Sequence, residues 1–443
     1  MYTSYIGKKF LKLYNERNKT ELTPKEFFDK VIFPLFFDND RVFLDVHNSS
    51  FAKQNKIPKE IIDLNPNKSD FILRKERFYE EVSNGIPHSG ILVGYAAKDI
   101  KGVSSGQSPS DHSSYNEDEI FCSWIGVGLG IGVDDRFVLL INSDEILWWV
   151  FEGWKYYRNY LNQTIIKDKE IEFWNAWWLT NCLSPNFDYS NPTDSLTIQH
   201  STSMGVTRIK KKTWSEVLLP ISKKYHREDK FTIYCYKLDK TNTTLGFINV
   251  YLKDIYEIYE WRDHIFMNES ETILSDRQIE QLSTQFRFKD ACAFGTIGLK
   301  ALEPAKLREF MPKGSVQYAQ GKDYKFKDEE SYFNYKLFKI WIYAMLNKTE
   351  LLKLASDIGS SLIALEEKDE RGKKVYSTLS QDVRDSKNIR AFIENLSKVL
   401  EGTPENADVF KNVVEETLKM PSDNFPLFIT LIRFEYNYQR TKK

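Results

Sequence analysis

Apolar positions along this chain change their spacing near residue 330. Beyond that point they recur every three or four residues, the period of a helix with one buried face. Tyr332, Tyr335, Phe338, Trp341, Ile342 and Met345 form one stripe, and Leu351, Leu352, Leu354, Ile358, Leu362 and Leu365 continue the period. A further helix is predicted from about Ser386, with Ile389, Phe392, Ile393, Leu396, Val399 and Leu400 on one face and Gly402 as its stop. Thr403-Pro404 then reads as a cap followed by proline at the first helical position, and Val409, Val413, Val414 and Leu418 make the next stripe. Pro421 to Asn424 breaks the pattern before Phe425 to Tyr438. Amphipathic helices with short connections predict a small bundle.

The first 320 or so residues are mixed. Leu11 to Tyr14 and Pro24 to Phe37 read as helices, the second opened by Thr23-Pro24. Gly90 to Ala97, Arg136 to Ile141, Lys230 to Tyr236 and Thr244 to Val250 are short apolar, β-branched runs between polar turns and read as strands. Glu145 to Leu161 and Glu170 to Leu179 read as aromatic-rich helices, and Ser104 to Glu119 as a long polar loop. The fold class is therefore α+β: a mixed region over residues 1–325, then a C-terminal helical bundle over 326–443.

Composition narrows the class. Of 443 residues 41% are hydrophobic and 14% aromatic, which excludes a disordered chain. No run approaches the roughly eighteen apolar residues of a membrane span, and the first twenty residues hold no apolar signal core. The expectation is a soluble cytoplasmic protein with no membrane partner. Four cysteines lie far apart, which suggests reduced, mostly buried thiols and no zinc knuckle. Nine of the ten tryptophans fall between Trp124 and Trp261. In Trp148 to Tyr157 they cannot share one helical face, so a second aromatic face is left for the rest of the chain or for a partner.

Motifs for catalysis are weak. Gly126, Gly128, Gly130 and Gly132 miss the spacing of a dinucleotide fingerprint, because the third glycine position holds Ile131; they read as close packing. Asp99-Ile100-Lys101 and Glu228-Asp229-Lys230 lack the acidic partner of a metal-dependent nuclease. The six histidines (His47, His88, His112, His200, His226, His264) form no zinc motif. No catalytic residue, metal site or cofactor is predicted.

Charge carries more. Lys+Arg 62 against Asp+Glu 63 gives −1 overall, yet the balance is uneven. Gly205 to Lys240 sums to +6, Lys300 to Lys327 to +4 and the first twenty residues to +4. Lys210, Lys211, Lys212, Lys223, Lys224 and Arg227, interleaved with Trp214 and Tyr225, are predicted to contact phosphates. The glycine-framed turn Gly102 to Gln107 offers Ser104, Ser105 and Gln107 as short groups for phosphates or base edges.

The segment Phe27 to Asn48 (FFDKVIFPLFFDNDRVFLDVHN), the turn GVSSGQ and the stretch Ser123 to Asn159 resemble the large subunits of type I CRISPR effector complexes (Cascade). The resemblance spans most of the chain. It implies a non-catalytic subunit of an antiviral defence complex that recognises a short motif beside the target in duplex DNA and helps open the duplex for guide RNA. Its helical bundle would hold the displaced strand while a separate nuclease-helicase cuts. The implied partners are DNA and guide RNA within a ribonucleoprotein, with other subunits docking on exposed aromatics. The cysteine-rich zinc motif of some such subunits is absent. The alternatives are a restriction-type nuclease with dispersed acids and a protein-interaction scaffold.

Overall fold

A computed structural model describes residues 1–38, 44, 49–52, 55–84, 88, 90–92, 116–134, 136–167, 169–227, 230–237, 244–266, 274–312, 322–370 and 373–442. The chain divides into two compact units, Met1–Val250 and Tyr251–Lys443. The predicted bundle segment, 326–443, lies within the second.

The first unit begins with helices α1 (Tyr2–Asn18), α2 (Pro24–Phe27), α3 (Phe33–Phe36), α4 (Lys59–Leu64), α5 (Asp70–Ser83) and α6 (Glu117–Gly128). Strands β1 (Ile131–Val133) and β2 (Phe137–Ile141) follow, then α7 (Asp144–Gln163), α8 (Ile171–Cys182), β3 (His200–Ser203), β4 (Val206–Ile209), α9 (Trp214–Tyr225), β5 (Phe231–Lys237) and β6 (Thr244–Val250). Thr23 opens α2 as a capping box with Glu26, and a π-helical turn (Phe28–Ile32) carries the chain into α3, so the predicted helix from Pro24 is present. β1, β2, β5 and β6 pair antiparallel in that order. The register sets Leu139 opposite Cys235 and Tyr234 opposite Phe247. Phe231, Ile233 and Cys235 alternate into the core and Thr232 faces out, the period of two that marked β5 in the sequence.

Two predicted features change, and the glycine run keeps its close-packing reading. Glu117 to Glu119, expected in the polar loop, form the first turn of α6, capped by Asn116, whose side chain accepts the Glu119 N–H at 2.8 Å. The glycine run is the end of that helix, a turn and β1. A methyl group at Gly128 would stand 2.9 Å from the Trp154 ring, and one at Gly132 2.7 Å from Phe173, so these glycines serve close packing. Of the expected strand Gly90 to Ala97, residues 90–92 form a turn and bend; residues 93–97 lie outside the described residues. Trp124, Trp154, Trp174, Trp178 and Trp214 are fully buried. Trp124, Trp174 and Trp178 spend their indole N–H groups on the carbonyls of Ile91, Gly153 and Trp149.

The second unit holds α10 (Leu252–Phe266), α11 (Asp276–Glu280), α12 (Phe288–Cys292) and β7 (Thr296–Ile297), then the C-terminal bundle. Its helices are α13 (Glu329–Leu346), α14 (Glu350–Glu366), α15 (Val375–Arg384), α16 (Ile389–Gly402), α17 (Ala407–Lys419) and α18 (Phe425–Lys442). α18 is buried from Phe425 to Tyr436, and Gly359 lets α14 approach its backbone. Lys339 and Glu435 form an ion pair at 2.9 Å with both side chains buried. Arg384 pairs with Asp323 at 3.1 Å and lies 4.0 Å above the Tyr436 ring. Among the described residues no helix is long and apolar enough to cross a membrane.

Candidate nucleic-acid interface

The lysine triplet sits where the chain leaves β4 and enters α9. That turn is set from both sides. Thr213 and Glu216 make a capping box that starts α9, and Glu170 accepts the Ile209 N–H at 2.8 Å and pairs with Arg208 at 3.3 Å to hold β4. Met204 and Gly205, with φ of 49° and 73°, make the two-residue turn of the β3–β4 hairpin. α8 places Phe173 and Trp177 one turn apart, and the triplet crosses that face. Trp177 Nε1 donates to the Lys210 carbonyl at 2.7 Å. Lys211 Nζ stands 5.5 Å from the Phe173 ring and Lys212 Nζ 4.0 Å from the Trp177 ring. Lys210 Nζ donates to Gln199 Oε1 at 2.9 Å. Lys210 and Lys211 are exposed, and Lys212 is half-buried with its cation held on an aromatic face.

Lys223 and Lys224 occupy the last turn of α9, where positive charge complements the helix dipole. Nine residues of helical rise from Trp214 put Lys223 about 14 Å beyond the start of α9, which Lys212 precedes. The segment that reads as one positive run is therefore divided between the two ends of a helix. Lys224 pairs with Glu145 and lies 5.6 Å from the Trp149 ring. Burial raises the Glu145 pKa, and Lys224 together with Tyr225 and Trp149 more than offsets it, leaving the carboxyl below its ordinary value. Arg227 is exposed just beyond the helix.

Ser104, Ser105 and Gln107 lie outside the described residues, as do His47, Asp99, Lys101, His112, Glu228 and Asp229. His88 accepts the Gly90 N–H at its Nδ1, 3.1 Å away. Among the described residues no three of His, Cys, Asp and Glu come together to hold a metal. Cys122, Cys182 and Cys235 are buried and Cys292 half-buried. Burial, with Asp118 nearby, pushes the Cys122 thiol up to about 12, and burial does the same to Cys292, the opposite of a nucleophile's environment.

The second positive segment yields a site that counting along the chain did not single out. Lys306, Lys322, Lys325 and Lys327 line one cleft of about 690 Å³ in the second unit. Its aromatic wall is Phe310, Tyr324 and Phe338, with Phe310 and Tyr324 rings 4.9 Å apart. Four carboxylates share the cleft: Glu309, Asp323, Asp328 and Glu330. Two of them are engaged. Asp323 pairs with Arg384, and Asp328 accepts the Ser331 N–H and hydroxyl at 2.8 and 2.7 Å, which hold its pKa down. The four lysines are exposed and make no ion pair among the described residues. Lys300 and Arg308 of the same segment are used elsewhere, Lys300 beside the Phe294 ring and Arg308 on Glu303 at 2.7 Å.

The N-terminal lysines are partly spent on the fold. Lys9 pairs with Asp144 at 2.8 Å, and Arg17 lies 4.4 Å above Trp148. Trp148 itself packs on Phe10 and Tyr14 of α1, so the second aromatic face of α7 meets the chain's own first helix. No protein-family model, curated protein or solved structure matches the chain.

Proposed function

We propose that this chain binds nucleic acid through its phosphates. The observation that supports this most is the second unit's cleft, where four exposed lysines make no ion pair within 4 Å among the described residues, Lys327 acting on Asp328 only at longer range, while two of the four local acids are already engaged. Ammonium groups left without partners can exchange condensed counterions for phosphate contacts, the main source of affinity for a polyanion. Ser331 and Asn334 in the early turns of α13 add polar groups to the same wall. The exposed Lys210, Lys211 and Arg227 of the first unit would add positive charge on that unit, Lys210 from its hydrogen bond to Gln199 and Lys211 from beside the Phe173 ring.

The resemblance to Cascade large subunits makes this reading specific: a non-catalytic subunit of an antiviral ribonucleoprotein that contacts DNA beside the guide-paired site. Three measurements test it. Changing Lys306, Lys322, Lys325 and Lys327 together to Gln should weaken binding of the full chain to labelled duplex DNA by about tenfold or more at low salt; unchanged affinity overturns the proposal. Wild-type chain with Mg²⁺ should leave that DNA intact, whereas cleavage would support a nuclease. Expression beside a CRISPR array should yield the chain together with a small RNA, and its absence would remove the Cascade assignment.

A further inference from the structure

One face of the first unit's sheet carries aromatic rings that its core does not consume. Phe231, Ile233, Cys235, Ile248 and Val250 of β5 and β6 point inward and are buried. The alternate positions point outward, where Tyr234 and Phe247 are direct cross-strand neighbours with ring centroids 5.4 Å apart. The first turns of α1 add two rings. Tyr2 lies 4.9 Å from Tyr234 and 5.1 Å from Phe247, and Tyr5 stacks on Tyr2 at 5.6 Å with 24° between planes. Phe247 is 65% exposed and Tyr5 52%, so the outer two rings are largely open to solvent.

An exposed ring cluster of this kind is costly unless something covers it. Its charge surroundings bear on what that is. Lys8, one helical turn from Tyr5, is exposed and makes no ion pair among the described residues. Tyr5 and Lys8 line one cleft of about 860 Å³ with Lys12, which lies 3.9 Å from Glu16. Glu21, Asp118 and Glu119 line that cleft as well, so a long polyanion is not accommodated along it. Among the described residues the arrangement offers π-faces first, with Lys8 beside them as a cation outside any ion pair. Beside the rings, Thr232 donates to Asn249 Oδ1 at 3.3 Å, placing an amide on the same face.

Resting on the nucleic-acid reading above, we infer that this face binds a short run of unpaired bases in a single strand. Bases stack on Phe247 and Tyr5, and Lys8 meets one phosphate. Duplex DNA is a poor fit, because its bases already stack on each other and present only their edges. Ring stacking tolerates any base and needs few charges, so its contribution changes little with salt, unlike that of a lysine cleft.

The test is binding of full-length chain to labelled oligothymidylate and oligouridylate over a range of salt concentrations, for wild type, Tyr5→Ala/Phe247→Ala and Phe247→Trp. The double alanine variant should lose about tenfold or more in affinity for one or both single strands at every salt concentration. Phe247→Trp should retain affinity, and duplex binding should be the same in all three. Equal single-strand affinity in wild type and the double variant overturns the inference. So does wild-type self-association, seen by sedimentation, that the double variant abolishes, since a second copy would then cover the rings. A wild type that binds neither single strand nor duplex instead removes the nucleic-acid reading on which the inference rests.

Discussion

Lys212 holds its ammonium 4.0 Å from the ring of Trp177, while the indole N–H of that residue donates to the carbonyl of Lys210. Two positions apart in one basic triplet, the lysines thus differ in role. Lys212 braces the turn between β4 and α9, and Lys210 projects from it. Lys212→Gln should lower unfolding free energy by about 0.5–1 kcal/mol, the worth of a cation–π contact near the surface. Lys210→Gln should leave stability within about 0.5 kcal/mol of wild type, as surface substitutions do. Chemical denaturation of both variants checks this, and equal losses would contradict it.

A tighter constraint lies between α1 and α6. A methyl group at Gly126 would overlap the Thr3 carbonyl, and one at Gly7 would overlap the Cys122 carbonyl and stand 3.0 Å from Gly126 N. Both obstacles are backbone, which cannot rotate away. Gly126→Ala should therefore cost about 3 kcal/mol or more. Gly205 has φ of 73° and nothing within 4 Å of an added Cβ, so Gly205→Ala should cost only about 1 kcal/mol of left-handed strain. Denaturation midpoints that rank the two variants in the opposite order would refute the close-packing role of the glycine run.

Glu170 gives a pH signature. Burial raises its pKa, against the opposing pull of the Ile209 N–H and Arg208. A carboxyl whose folded pKa exceeds its unfolded one favours the fold below the ordinary carboxylate value, and that contribution is lost as pH rises through the folded pKa. Glu170→Gln removes the titration. The stability of wild type minus that of Glu170→Gln should therefore decline as pH rises above the ordinary carboxylate value of about 4. A difference that rises with pH would mean that Arg208 outweighs burial.

How much was legible in the sequence follows from what each residue does. β5 and β6 were readable because their buried and outward positions alternate, and the helices from Glu330 onward because their apolar residues repeat at helical spacing. α1 was read only over Leu11 to Tyr14, because Thr3, Ser4 and Gly7 bury small or polar side chains that leave no apolar stripe. The β3–β4 hairpin carries His200, Ser201, Thr202 and Ser203 in the open, with no alternation to detect. Pro220 stands inside α9, where sequence reasoning expects a break. Charge counting found the positive segments but not their partition. It could not see that a helix separates Lys212 from Lys223, or that Lys306 meets Lys322, Lys325 and Lys327 across one cleft.

The salt dependence of duplex binding bears most directly on the central claim. Four phosphate contacts correspond to a slope of about −3.6 in log affinity against log salt, or roughly a 150-fold loss between 50 and 200 mM. Wild-type chain should show at least that slope, and the Lys306→Gln/Lys322→Gln/Lys325→Gln/Lys327→Gln variant should be shallower by up to about 3.6. Coincident lines for the two proteins would contradict a phosphate-binding role for the cleft.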